Sequence, residues 1–597
     1  MTEWILKNKK ADLQAMSKEL GVGMTFCRVL ANRGITDAAA AKAFLNPTAS
    51  KLHEPSLMKN AQQAAQMLWQ AVRDNRKIRI IGDYDVDGIM STFLLYKTLV
   101  SLNATVDYRI PDRVLDGYGM NVRMVEEAKE SGVEVLLTCD NGIAAREPVA
   151  LAKSYGMLVI VTDHHDIPTK ETPQGTEWDL PEADLIVNPK QPGDAYPQPG
   201  ICGAMVAYKV IELLLRLVCA DDVKNRAFWE EWHEEMKVFA AFATVCDVME
   251  LTGENRTVTA QGLKRMKECR NIGVRALLKA QNLTDKTITA YHAGFLLGPC
   301  FNAAGRLDTA LLGLNLLLCE SEEEAERQAA ELKELNDIRK QMTVSATQKA
   351  VILAKEKITE QNCSVLVLFL PDCHESLAGI VAGRIREQFY RPTIVLTRGD
   401  HCIKGSGRSI EGYSMFEKLS EQKDLFLAFG GHPMAAGMSL EECHIEELEK
   451  RLNEASNLDE ESLTQKLYLD AVLPFAEVTE RLMEELELLE PIGNKNAKPV
   501  FAQSNVEVYG MRRMGKDGSM MRLSLKDSAG FRLDGLCFNN ADGLEEYIRE
   551  NCGEETVREL YRQNTGIFMT LAFSPQINTY QGKKLPQVVI SDYKMTR

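Results

Sequence analysis

The sequence predicts an α/β protein: two α/β lobes joined by a long helix and followed by a small, OB-like β-barrel. Three observations predict it. Residues 77–188 alternate short apolar runs with amphipathic helical stretches, the βαβ pattern of a parallel sheet. A second, shorter set of such units follows a charge-rich helical segment at residues 322–357. From residue 467 onward the texture changes to about five short apolar runs separated by turn residues, as in an OB-fold.

A chain of 597 residues is too long for one core. The composition shifts divide it into an N-terminal helical segment (1–60), a first lobe (61–320), a connecting helix (321–360), a second lobe (361–458) and the barrel (459–597). With 45% hydrophobic and 26% charged residues the composition is that of an ordinary globular protein. Its apolar runs are too short and interrupted for a membrane helix, and residues 1–20 have no signal-like apolar core, so the expected location is cytoplasmic. The fourteen cysteines contain no C-x-x-C pair, which argues against a zinc ribbon or a redox dithiol and fits a reducing compartment. A net charge of −15 argues against a protein whose whole surface binds nucleic acid but leaves room for a local basic groove.

In chain order, residues 1–75 read as short helices without chemistry. The run 77–81 is a buried strand that leads into Asp83-Tyr84-Asp85-Val86-Asp87-Gly88, and 89–102 is a helix. Three carboxylates at alternate positions in a strand-to-helix loop repel one another unless a cation lies among them. Strand 105–110 is followed by a Gly-containing loop, 111–119, whose Arg113 suits an anion. Strand 134–138 ends in Cys139-Asp140-Asn141-Gly142, strand 157–162 ends in Asp163-His164-His165-Asp166, and 185–188 is a last strand. Parallel strands with right-handed crossovers collect these endings at one sheet edge, where ligands bind. A nearly all-apolar helix at 237–246 runs into Asp247, a carboxylate that is costly to bury without a partner.

Residues 297–308, with Asn302 and Arg306, read as a compact loop that offers an amide and a guanidinium to a phosphate. In the second lobe 364–369 and 392–397 read as strands around a helix at 376–389. Lys404-Gly405-Ser406-Gly407-Arg408-Ser409 reads as a Gly-rich strand, and Phe429-Gly430-Gly431-His432-Pro433 as a Gly-rich turn. Glycines let backbone N–H groups approach an anion. In the barrel, residues 509–516 read as a basic, aromatic turn that could follow a nucleic-acid backbone.

Asp83, Asp85, Asp140, His164 and Asp247 form a set rich in hard oxygen ligands, with one imidazole and no thiolate. Mn²⁺ or Mg²⁺ suits it better than zinc, and a pair of ions sharing one Asp suits in-line displacement at phosphorus. With Arg306, Arg408 and His432 opposite, the constellation reads as phosphoester hydrolysis.

These motifs, in this order, resemble the metal-site motifs of the DHH phosphoesterases. With Asn-Ala-Ala-Gly-Arg, Gly-Ser-Gly-Arg-Ser and Gly-Gly-His behind them, they resemble its RecJ branch of single-stranded-DNA-specific exonucleases. The resemblance implies a DHH domain, a DHHA1 domain and an OB-fold domain, and a 5′-to-3′ exonuclease of DNA repair and recombination. It implies that Asp83, Asp85, Asp140, His164 and Asp247 hold two Mn²⁺ or Mg²⁺ ions. Asp163 would orient its neighbour, His165 would face the scissile phosphate, and Asp87 would support the loop. Asn302 and Arg306 resemble a substrate loop; Ser406, Arg408 and Arg113 resemble a 5′-phosphate pocket; His432 resembles a turn that closes over the phosphates. A RecQ-type helicase and a single-strand-binding protein are the partners the resemblance suggests. Two other readings compete: a DHH phosphodiesterase of short oligonucleotides or cyclic dinucleotides, and a non-catalytic replication scaffold.

Overall fold

The computed structural model describes residues 2–47, 52–113, 115–172, 175–221, 226–515, 518–538, 540–580 and 583–596. The first lobe is built on a five-stranded parallel sheet in the order Val106–Arg109, Ile78–Ile81, Val135–Cys139, Leu158–Thr162, Leu185–Val187. Its central strands read as continuous apolar runs because helices cover both faces. From Ile78–Ile81 the chain first crosses to one side, to Val106–Arg109, and then returns past it to Val135–Cys139 on the other side. That reversal opens a crevice at the carboxyl ends of Ile78–Ile81 and Val135–Cys139, the two strands that lead into Asp83 and Asp140.

Helix Val86–Ser101 is almost wholly buried, and helices Gly203–Asp221 and Arg226–Cys246 pack against it. Residues 297–308 are not a loop. Gly298–Leu307 is a helix that continues a π-helical turn, His292–Leu297. Pro299, which lacks an N–H, sits where the π-helical turn gives way to the α-helix, and Gly298 is there because a Cβ would collide with Cys246 Sγ. The connecting helix, Glu322–Gln361, is 40 residues long and ends at the left-handed Asn362.

The second lobe is a mixed sheet in the order Phe426–His432, Ala435–Leu440, Ile403–Arg408, Thr393–Arg398, Leu366–Phe369. Gly430, Gly431 and His432 belong to its edge strand, and the turn begins only at Pro433. Gly431 pairs there because it lacks a Cβ, which would overlap Ala435 and Ala436 of the neighbouring strand.

The C-terminal barrel runs Phe501–Met514, Met520–Lys526, Arg532–Cys537, Lys583–Met595, Ile567–Tyr580 and closes back on Phe501–Met514. Residues 509–514 extend a strand and are no turn; Lys516 lies outside the described residues. Arg513 is tied to Asp542, Glu545 and Tyr561, so it is not free to meet a phosphate.

The N-terminal segment begins with a strand, Glu3–Leu6, paired in parallel with Lys466–Leu469. Its helices bury Phe26, Val29 and Leu30 in the same core as Phe501 and Phe573 of the barrel. So short a segment has no core of its own and shares one. Arg256 joins this unit to the first lobe. Its guanidinium, buried over the Phe44 ring, donates to the carbonyls of Phe44, Leu488, Leu489, Glu490 and Pro491. Among the described residues no helix is long and apolar enough to cross a membrane.

Candidate active site

Asp83 and Asp85 leave the end of strand Ile78–Ile81, and the tight loop depends on Gly88, where a Cβ would meet the Asp83 carbonyl at 2.5 Å. Asp85 caps the helix that follows: its Oδ1 accepts from Asp87 N (2.9 Å) and Gly88 N (3.1 Å), leaving the other oxygen to the crevice. Asp140 has a left-handed backbone, φ 63°, uncommon for a residue with a Cβ. The turn aims its carboxylate back across the sheet edge, against Gly203, where a Cβ would come within 2.7 Å of it. His164 Nε2 lies 3.0 Å from Asp140 Oδ1, 3.6 Å from Asp87 Oδ2 and 3.7 Å from Asp247 Oδ2.

The donor atoms fall into overlapping groups: Asp83, Asp85 and Asp140; Asp140, His164 and His165; and Asp87, His164 and Asp247. Asp140 belongs to two of them. Asp83 Oδ1, Asp140 Oδ1 and Asp247 Oδ2 are buried and accept no hydrogen bond among the described residues. Burial and then the neighbouring carboxylates push Asp83, Asp85 and Asp140 up from the usual range, and the same causes take Asp247 to about 8. Four crowded carboxylates that disfavour one another's charge, with unpartnered oxygens turned inward, are what a divalent cation relieves. The donor set, oxygens plus one imidazole, fits Mn²⁺ or Mg²⁺.

Asp87 does different work. Its two oxygens accept from Gly203 N (2.6 Å) and Ala204 N (2.7 Å), fastening the start of helix Gly203–Asp221 beneath the site. Asp163 accepts from the backbone N–H groups of Ile143, His164 and His165 and from His165 Nδ1 at 2.7 Å. Burial opposes charge on both partners of that contact, but the hydrogen bond and mutual attraction prevail. They hold Asp163 below the usual carboxylate range and raise His165 to about 9.

Cations line the other side of the crevice, where the two lobes meet. Arg306, one turn after Asn302 on the same helix, donates to the Ser376 carbonyl of the second lobe, and Ser376 Oγ donates to Arg306 O (3.1 Å). Arg408 reaches Ser406 Oγ at 2.9 Å, and both side chains crowd Gly379 at the start of helix Ala378–Phe389. Burial, then Arg113 and Arg339, lower Arg306 to about 9; burial, then Arg386 and Arg113, lower Arg408. These guanidiniums repel one another, and an anion between them would relieve the repulsion. Arg113 lies over the Tyr84 ring at 4.5 Å. A cleft of about 630 Å³ runs between Tyr84 and Arg113 on one lobe and Ser376, Lys404 and Gly405 on the other. His432 is exposed on the facing edge. Asp166 is held below the usual range first by its hydrogen bond from Lys190 (2.8 Å) and also by the charge of His432.

The structure thus brings Asp83, Asp85, Asp140, His164 and Asp247 together with Asp87, Asp163 and His165 around them, and Arg113, Arg306, Ser406 and Arg408 near the meeting of the two lobes, whereas residues 509–514 lie apart on the barrel. Sequence reasoning missed Tyr118, whose hydroxyl donates to Asp140 O (2.9 Å) and touches the His165 ring (3.1 Å). It also missed Ser376, Gly379, Arg339 and Arg386. Tyr118 was legible in Gly117-Tyr118-Gly119, where left-handed glycines on both sides let a single, still exposed aromatic bring its hydroxyl to the site. The arginines lie on charged helix faces and carry no local signal.

The description "DHH family, N-terminal domain" matches residues 77–239, "DHHA1 domain" residues 362–458 and "RecJ OB domain" residues 469–592. Among curated proteins the chain is similar to the single-stranded-DNA-specific exonuclease RecJ of Bacillus subtilis, 32% identical over 99% of this chain and 70% of that one. It is 33% identical to the proteins of that name from Salmonella typhimurium and Escherichia coli, over 95% of both chains in each pair. Among solved structures it is similar to RecJ from Thermus thermophilus in complex with Mn²⁺ (TM-score 0.80, 26% identity, all of this chain and 80% of that one). The Mg²⁺ complex from the same organism gives a TM-score of 0.74 at 25% identity, with all of this chain and 79% of that one covered.

Proposed function

The chain belongs to the RecJ family of single-stranded-DNA-specific exonucleases, and from that premise we propose that it degrades single-stranded DNA from a phosphorylated 5′ end, 5′ to 3′. It is a metal-dependent hydrolase of phosphodiester bonds. The observation that carries the reading is one of opposition: crowded carboxylates with unpartnered oxygens face mutually repelling guanidiniums across a single cleft.

Asp83, Asp85, Asp140, His164 and Asp247 would hold two Mn²⁺ or Mg²⁺ ions, and Asp140 belongs to two of the donor groups. Bound there, the ions supply an activated water and charge neutralisation at the phosphorus centre. The chain's own residues do the rest. Asp163 keeps His165 cationic and fixes its ring, so that it can donate to an oxygen of the scissile phosphate. Tyr118 holds that ring from the other side and ties down the Asp140 backbone. Ser406, Arg408 and Arg113 bind the terminal 5′-phosphate at the head of helix Ala378–Phe389, which places the first phosphodiester over the carboxylates and sets polarity. Arg306 and Asn302 hold the next phosphate, and His432 approaches from the opposite lobe.

The reading extends to DNA repair and recombination in the cytoplasm, with a single-strand-binding protein and a RecQ-type helicase supplying the strand. The test is a substrate panel with Mn²⁺: long single strands with and without a 5′-phosphate, a duplex and a dinucleotide. Preferential loss of the phosphorylated single strand supports the reading. Turnover of the dinucleotide alone would make the chain a small-substrate phosphodiesterase instead.

A further inference from the structure

Tyr291 and Phe295 stand out from the rest of the first lobe. They are 60% and 67% exposed, one helical turn apart, with their rings stacked at 5.3 Å and 25°. Large apolar rings held face to face in water are costly to leave uncovered. The Val248 side chain is also 65% exposed, on a left-handed residue, φ 56°.

Their position is built. They ride on the π-helical turn His292–Leu297 and the residue before it, an uncommon element that often marks functional sites. The turn is seated directly on the segment that carries Asp247. Cys246 Sγ points to Ala293 O at 3.7 Å, and a Cβ on Gly294 would lie 3.3 Å from Val245, so the absent side chain permits the approach. His292 Nδ1 accepts from Thr289 N at 3.1 Å and fixes the start of the turn. The same helix continues without interruption to Arg306, eleven residues beyond Phe295, which is about 16 Å at roughly 1.5 Å per residue. The helix thus carries a phosphate contact at one end and an exposed aromatic pair at the other, with the Asp247 segment packed alongside.

We propose that the Tyr291–Phe295 pair is a stacking platform for bases of the single strand, several nucleotides to the 3′ side of the anchored 5′ end. This rests on the exonuclease reading above and adds to it the surface that grips the strand beyond the cleavage site. Stacking suits such an enzyme because every base offers a π-face, so grip is independent of sequence. It predicts tighter binding of long strands than of fragments that end before reaching the platform.

The test compares the parent protein, Tyr291→Ala/Phe295→Ala and Phe295→Trp on a 5′-phosphorylated strand of about 20 nucleotides and a 5′-phosphorylated dinucleotide, with Mn²⁺. Both side chains are exposed, so the alanine variant retains its core. The proposal expects the alanine variant to raise KM for the long strand about tenfold or more, the loss of one stacked base. It expects unchanged kcat, unchanged dinucleotide turnover, and parent-like KM for Phe295→Trp. Unchanged KM on the long strand overturns the platform while leaving the exonuclease intact. Equal losses on both substrates also overturn it, because the pair would then act only through the Asp247 segment. A parent protein inactive on both substrates removes the exonuclease reading and the platform together.

Discussion

Asp140 concentrates the chemistry of the site in one side chain. It is buried, strained at φ 63°, shared by two donor groups and repelled by Asp87, Asp85 and Asp83. Without metal its charge works against folding, so Asp140→Asn should raise the melting temperature measured in a chelator while abolishing turnover. The same logic gives a pH dependence. Asp83, Asp140 and Asp247 titrate above the ordinary carboxylate range in the folded chain, Asp247 at about 8, so the folded state holds protons that the unfolded chain has released. Metal-free protein should therefore lose stability as pH rises from that range toward about 8, and Mn²⁺ should remove the slope. At a Mn²⁺ concentration about one hundred times its Kd, the gain in stability should be about 2.7 kcal/mol for each ion bound; denaturant titrations across pH, with and without metal, measure both effects. Asp163→Asn, which leaves His165 without its carboxylate, should cost on the order of 10- to 100-fold in kcat. Arg408→Ala should instead erode the preference for a phosphorylated 5′ end, read as the ratio of kcat/KM for phosphorylated and hydroxyl-ended strands.

At the scale of elements, strand endings are easy to read from sequence and glycines are easy to misread. Each Asp-bearing motif of the sheet follows a short apolar run, so strand, loop and charge are encoded in a few adjacent residues. Gly298-Pro299 and Gly305 read as loop signals, yet they lie in a helix. Their glycines mark close approaches: Gly298 to Cys246, and Gly305 to the Tyr84 carbonyl, which a Cβ would meet at 2.8 Å. Gly430-Gly431 similarly marks strand pairing, tight at Gly431. Arg256 carries no local signal at all, because its partners lie in residues 44 and 488–491. Arg256→Ala would remove five hydrogen bonds, leaving Asn496 Nδ2 to serve the buried Leu489 and Pro491 carbonyls but taking this donor from the part-buried bonds to Phe44, Leu488 and Glu490, at a cost of about 3 kcal/mol. It should appear as an early unfolding step and faster proteolysis of the unit formed by the N-terminal helices and the barrel. Arg256→Lys should not rescue it, since an ammonium has no planar fork and fewer donors.

Across the whole molecule, the sheet reversal gathers Asp83 and Asp140 at one edge, while Asp247 arrives from a helix and Arg408 from the facing lobe. The first contribution was legible because parallel sheets with right-handed crossovers have few solutions. The contact between Arg306 and Ser376, and the packing of Phe26 against the barrel, span long stretches of sequence and left no trace in local pattern. The division of labour between lobes makes a directional claim: the terminal phosphate is held on one side, the carboxylates act next to it, and the strand leaves the other way. The most direct measurement is a time course with Mn²⁺ on a single strand carrying a 5′-phosphate and different labels at its two ends. The account predicts that the 5′ label is released first, as a mononucleotide, while the 3′ label persists on progressively shorter strands. Release of the 3′ label first, or cleavage that proceeds equally in a chelator, would contradict it.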